Sequence, residues 1–117
     1  MKGKRAFGEL GEDYAIKLLE DKGYKIISRN FRCRLGEIDI IAIDKDTLVF
    51  VEVKTRWSKK FGRPEEAVNF QKLYHIKRTA DYFLLKNKNL PKKLRIDVVA
   101  LEVADNRITN AKVIKVI

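Results

Sequence analysis

Apolar residues recur along the 117-residue chain with two different periods, and the switches between them divide it into seven segments. Ala15, Ile16, Leu18 and Leu19 recur at helical spacing. They predict a helix from about Ala6 to Lys22, with Gly23 as its C-terminal stop. Tyr24, Ile26 and Ser28 alternate instead, which predicts a strand from Tyr24 to Phe31. A basic stretch, Arg29 to Arg34, overlaps its end and closes at Leu35-Gly36. Two runs then follow, Glu37–Ile43 and Leu48–Lys54, joined by the turn signal Asp44-Lys45-Asp46. Both are apolar on both faces apart from a few charges, and such strands belong in the middle of a covered sheet. A central hairpin with a helix on each side is therefore expected. Pro64 followed by Glu65 and Glu66 predicts the first turn of a second helix, with acids at its positive end. Leu73, Ile76, Ala80, Phe83 and Leu84 carry its apolar stripe to about Lys86. Strands are expected from Leu94 to Val103 and from Ile108 to Ile117, around a turn at Ala104–Arg107. The order is α-β-β-β-α-β-β, an α/β pattern without repeats or linker, and the length suits one domain spanning residues 1–117.

The charges inside the apolar runs change the picture most. Asp39 and Glu52 interrupt the two most hydrophobic segments. If the hairpin registers about the Asp44–Asp46 turn, paired positions sum to about 91, and Asp39 falls opposite Glu52. Glu52 and Lys54, two apart, share a strand face. Two carboxylates side by side in an apolar setting are costly, because each disfavours ionisation of the other and burial disfavours both. A divalent cation removes both penalties. Oxygen donors without Cys or His suit Mg²⁺ or Mn²⁺. Lys54 would then stand ready to orient or help deprotonate a water, or to hold a phosphate; these are the parts of phosphodiester hydrolysis. The same three residues also fit a structural salt-bridge cluster, in which Lys54 covers one carboxylate and the second goes uncompensated.

Composition adds a partner class. Lys and Arg number 26 against 16 Asp and Glu, a formal net charge of +10, which points to a polyanion: nucleic acid first, an anionic membrane surface second. One cysteine and one histidine exclude an internal disulfide and a Cys/His zinc site by count. Cys33 lies between Arg32 and Arg34 but lacks a base to make it a nucleophile. No apolar run has the length of a membrane span, and Met1–Arg5 leads into no signal-like core, so a cytoplasmic protein without membrane association is expected.

Asp39 followed by Glu52-Val53-Lys54 resembles the D…ExK core of the PD-(D/E)XK nuclease superfamily, whose α-β-β-β-α-β order matches the one read above. A closer likeness lies in the surrounding words. These are Gly8-x-x-Gly-Glu12-x-x-Ala15, Gly23-Tyr24, Arg29-Asn30, Gly36-Glu-Ile-Asp-Ile-Ile-Ala42, Val49-Phe-Val-Glu-Val-Lys54, Phe61-Gly62, Glu66-Ala-Val68 and Arg95-Ile-Asp-Val-Val99. They are similar to the bacterial YraN-like family, which in turn resembles archaeal Holliday-junction resolvases, dimers that cut four-way DNA in a Mg²⁺-dependent reaction. The resemblance implies a three-layer α/β/α, restriction-endonuclease-like fold with a mixed central sheet. It also implies a first-helix Glu completing the metal site, about eleven residues before a Gly-aromatic pair. Glu12 stands eleven before Gly23-Tyr24 and shares a helix face with Ala15, Ile16 and Leu19; Glu9, a turn earlier, is the second choice. The superfamily's Pro is absent, since Ile38 precedes Asp39. Glu37 is either an acid behind the metal ligands or a solvated strand end.

The expected catalytic set is thus Asp39, Glu52, Lys54 and Glu12, with Asp39, Glu52 and Glu12 holding Mg²⁺ or Mn²⁺. The candidate DNA contacts are Arg29, Arg32 and Arg34 before the Asp39 strand, and Arg56, Trp57, Lys59 and Lys60 after Lys54. Cations of this kind hold phosphates without reading sequence. Trp57 either stacks on an unpaired base or caps the core edge. Arg95 and Asp97 read as a sheet salt bridge, Tyr74 as packing and His75 as solvent-facing. Two functions remain open: a Mg²⁺-dependent endonuclease, on branched DNA by analogy, and a non-catalytic nucleic-acid-binding module on a nuclease fold. DNA is preferred to RNA as partner, although nothing in the residues separates them. The resolvase likeness suggests a homodimer.

Overall fold

The computed structural model describes residues 4–57 and 69–117. Seven elements follow the expected order: α1 (Lys4–Asp21), β1 (Lys25–Cys33), β2 (Gly36–Asp44), β3 (Thr47–Arg56), α2 (Phe70–Lys86), β4 (Lys93–Ala104) and β5 (Arg107–Lys115). The strands form one mixed sheet in the order β1-β2-β3-β4-β5. Neighbours are antiparallel except β3 and β4, which are parallel and bridged by the α2 crossover.

The two-sided apolar strands are central, as their sequence requires. One side of the sheet packs Ile40, Ala42, Val49, Val51, Val99 and Leu101 against Ala15 and Leu19 of α1. The other packs Ile38, Ile41, Leu48, Phe50 and Ile96 against Ile76, Ala80 and Phe83 of α2. The result is three layers, α/β/α. Removing an apolar side chain from water contributes roughly 1.5–3 kcal/mol, so these two clusters are the main force holding the layers together.

Two glycines set close approaches. A Cβ on Gly11 would lie 3.2 Å from Leu101 Cδ1 and 3.3 Å from Thr55 Oγ1, so α1 rests on β3 and β4 at the position beside Glu12. Gly36 starts β2 at φ +153, and a Cβ there would meet Thr79 Oγ1 of α2 at 2.8 Å.

The second helix differs from its expected start. Asn69 is extended (φ −88, ψ −179), and its side chain accepts from Lys72 N at 2.8 Å, so α2 begins at Phe70 under an Asn cap. A helix running unbroken from Pro64 is excluded by that cap. Pro64, Glu65 and Glu66 themselves, and Lys59 and Lys60, lie outside the described residues. The last strand ends at Lys115, yet Val116 and Ile117 still exchange backbone hydrogen bonds with Ile96. No helix among the described residues is long and apolar enough to cross a membrane.

Candidate functional site

The β2–β3 register is the one the turn predicts: Ile40 pairs with Val51, Ile41 with Phe50, and Asp44 with Thr47. The ladder stops at Ile40–Val51, one step short of Asp39. There the side chain of Asp39 replaces a backbone acceptor, its Oδ2 taking a hydrogen bond from Val53 N at 2.8 Å. Strict alternation would put Ile38 and Ile40 on one face, but Ile38 packs towards α2 and Ile40 towards α1. On β1 the matching irregularity is Asn30, at φ 54, between the pairs Arg29–Ile40 and Phe31–Ile38. Asn tolerates this left-handed conformation better than most residues. Such breaks in pairing re-aim side chains, and here they gather carboxylates where the strands part.

Burial and the neighbouring Glu52 carboxylate push the Asp39 carboxyl up to about 7; Glu12 and Glu37 push the same way, and the Val53 N–H opposes them. Glu52 is 9% exposed. Glu12 reaches the same region from α1. Burial raises its carboxyl above the usual range, against the Arg29 guanidinium and Asn30. Its Oε1 is buried without a hydrogen-bond partner among the described residues, with Arg29 Nε 3.9 Å away. Glu37 pairs with Arg32 at 2.9 Å.

One participant has no counterpart among the residues singled out from the sequence. Lys72, in the first turn of α2, places its Nζ 2.6 Å from Glu52 Oε1. Burial opposes its charge, but the hydrogen bond to Glu52 and the fields of Glu52, Asp39 and Glu37 outweigh that and raise its pKa. A lysine in a first helical turn faces the positive end of the helix dipole, which is unfavourable. That signal was hidden because a helix starting at Pro64 would put Lys72 well inside it.

Oxygen-only donors, an unbonded buried Glu12 Oε1 and two clustered carboxylates fit a hard divalent cation. Of the neighbouring acids, Glu52 acts most strongly on Asp39. Among the described residues no three His, Cys, Asp or Glu side chains are grouped closely enough to hold an ion, and Glu12 acts on Asp39 as a neighbouring charge. Lys54 is exposed, two residues beyond Glu52, and makes no ion pair among the described residues.

The basic candidates divide. Arg32 and Arg34 are exposed around the β1–β2 turn, and Trp57 is 46% exposed just past β3. Arg29 is held by Asp13 and by the Glu9 carbonyl. Arg56 belongs to β3 rather than to a loop and is only 9% exposed, which sets it back from the surface offered by its neighbours. Tyr74 is exposed rather than packed, with Arg78 donating to its hydroxyl at 2.9 Å. His75 is solvent-exposed, as expected.

Arg95 and Asp97 do form the sheet salt bridge, and it is larger than expected. Asp97, fully buried, accepts from Arg95 Nε and from the Tyr24 hydroxyl, each at 2.7 Å. Arg95 also donates to Asp44 at 2.8 Å, at the turn end of β2 away from Asp39.

This is an α/β protein whose three layers are compatible with a restriction-endonuclease-like fold, with paired carboxylates where two central strands diverge. The chain belongs to the family described as "Uncharacterised protein family UPF0102", whose model matches residues 11–101. It is 52% identical over 96 residues to a UPF0102 protein of Caldicellulosiruptor saccharolyticus, covering 82% of this chain and 81% of that one. Similar proteins occur in Caldicellulosiruptor bescii, 51% identical over 110 residues (92% of each chain), and Alkaliphilus oremlandii, 47% over 105 residues (88% and 90%). The YraN-like resemblance is thereby established, from Gly11 to Leu101.

Proposed function

We propose that this protein is a divalent-cation-dependent endonuclease acting on DNA, with Asp39 and Glu52 as the principal ligands of Mg²⁺ or Mn²⁺ and Glu12 as a further acid beside them. The observation that carries this reading is the Asp39–Glu52 pair itself. It sits at a break in the ladder, and burial together with the second carboxylate holds Asp39 near 7. Two such groups side by side are costly unless cations compensate them, and the Lys72 ammonium covers Glu52 alone. A bound divalent ion would supply Lewis-acid polarisation of a phosphate and a more acidic water. The chain's own residues do the rest. Val53 N–H fixes the Asp39 carboxylate, and Lys54, free of ion pairs among the described residues, is available to orient the attacking water or hold a phosphate oxygen. Arg32, paired with Glu37, and Arg34, both exposed, would grip the backbone without reading bases.

Incubation with branched, duplex and single-stranded DNA in Mg²⁺ or Mn²⁺ tests this. Cleavage that fails in Asp39→Asn and Lys54→Ala is expected; equal cleavage by the wild type and both variants contradicts the assignment. The Lys72–Glu52 ion pair favours a second reading, a non-catalytic nucleic-acid-binding module, because it neutralises Glu52 without any metal. Salt-sensitive DNA binding with no Mn²⁺ binding in calorimetry would select that reading. A junction substrate, a preference for DNA over RNA and a homodimer belong to the same proposal, resting on the resolvase likeness alone.

A further inference from the structure

Lys72 and a divalent cation have the same target. The ammonium stands 2.6 Å from Glu52 Oε1, and the Glu52 side chain is 11% exposed, so little of the carboxylate is left for another partner. The lysine is rooted: its backbone N–H is fixed by the Asn69 cap at 2.8 Å. Its position opposes the helix dipole, so the carboxylates of Glu52, Asp39 and Glu37 are what hold the charge there. Nearly half of the Lys72 side chain remains exposed, so the ammonium can swing outward without disturbing the core.

We propose that Lys72 is the resident countercation of this site. With no ion bound it neutralises Glu52 and keeps the carboxylate pair tolerable; a divalent ion on Glu52 and the ammonium of Lys72 exclude one another. The site thus has a lysine-closed state and an ion-loaded state. Loading frees Lys72 beside the carboxylates, where a DNA phosphate would pass. This inference rests on the reading of Asp39 and Glu52 as cation ligands. It concerns regulation of that site by a residue outside the D…ExK pattern.

Calorimetric titration of the full chain with Mn²⁺, without DNA, tests it in the wild type, Lys72→Met, Lys72→Arg, Glu52→Gln and the Glu52→Gln/Lys72→Met double variant. Circular dichroism melts establish that each is folded. Lys72→Met removes the charge and keeps the stem, and should tighten Mn²⁺ by about 5–150-fold, the range of a typical coupling between two ligands. Lys72→Arg keeps the charge and should stay near wild type, which a purely structural role of the side chain would not produce. In the Glu52→Gln background the Lys72→Met gain should vanish. Mn²⁺ binding that is equal or weaker in Lys72→Met overturns the inference and leaves the cation site standing. Absence of Mn²⁺ binding in both the wild type and Lys72→Met overturns the inference together with the reading beneath it.

Discussion

Replacing Asp39 by Asn should make the ion-free protein more stable, and increasingly so as the pH rises. Asn keeps an oxygen to accept the Val53 N–H but carries no charge towards Glu52. In the fold the Asp39 carboxyl is pushed from 3.8 to about 7 by burial and by Glu52; in the unfolded chain it has its ordinary value. Between those two values the native state holds a proton that the unfolded state has lost. Stability therefore falls with rising pH, by up to about 1.4 kcal/mol per pH unit. The full shift corresponds to about 4 kcal/mol, a large part of the roughly 5–15 kcal/mol that a domain usually has. Urea unfolding of both proteins across this pH range, with chelator present, reads the difference directly. The variant's advantage should be near zero below the unfolded pKa, grow through the acid range and level off above about 7. Excess Mn²⁺ at the alkaline end should then stabilise the wild type more than Asp39→Asn, since a ligand of the native state shifts unfolding by mass action. An advantage that does not change with pH, or a wild type that is the more stable at alkaline pH without metal, would show that Asp39 is not held protonated by burial and Glu52.

Other residues give independent checks. Lys54→Ala should lower DNA cleavage by about 100-fold or more while leaving the urea midpoint almost unmoved, because Lys54 is exposed. Arg32→Ala with Arg34→Ala should weaken DNA binding and reduce its slope against log salt by roughly 0.9 for each phosphate that is no longer neutralised, read by fluorescence anisotropy at several salt concentrations. Gly36→Ala should cost about 1–3 kcal/mol in chemical denaturation, because the new Cβ meets Thr79 Oγ1 at 2.8 Å with φ at +153. Arg95→Met should cost about 3–5 kcal/mol by the same measurement, since it leaves fully buried Asp97 without its cation.

The apolar periods carried the architecture. Two-sided runs such as Glu37–Ile43 and Leu48–Lys54 have no stable place except a central hairpin, and the Asp44–Asp46 turn fixed their register to the residue. The second helix begins later than Pro64-Glu65-Glu66 suggests, because the extended Asn69 caps it at Phe70. Its described beginning rests on a single Asn side chain reaching Lys72 N. The later start hid Lys72, whose unusual place in a first turn is visible only once the cap is known. Asp39 and Glu52 could be found from the sequence because carboxylates in apolar runs are conspicuous. The reversal of faces around Asp39 could not: it arises where Asn30 on the neighbouring strand takes a left-handed conformation, a coupling between strands that no local pattern records. Arg56 misled for a similar reason. A cation in a basic stretch looks exposed until the strand that contains it is seen to continue.

Whether the Asp39–Glu52 pair is a divalent-cation site is decided by a crystal structure of the Mn²⁺-soaked protein, with the ion located by its anomalous scattering. One Mn²⁺ bound by oxygens of both Asp39 and Glu52 is expected, with the Lys72 ammonium withdrawn from Glu52. A map with no ion between these carboxylates, and Lys72 still seated on Glu52 in excess Mn²⁺, would contradict that assignment.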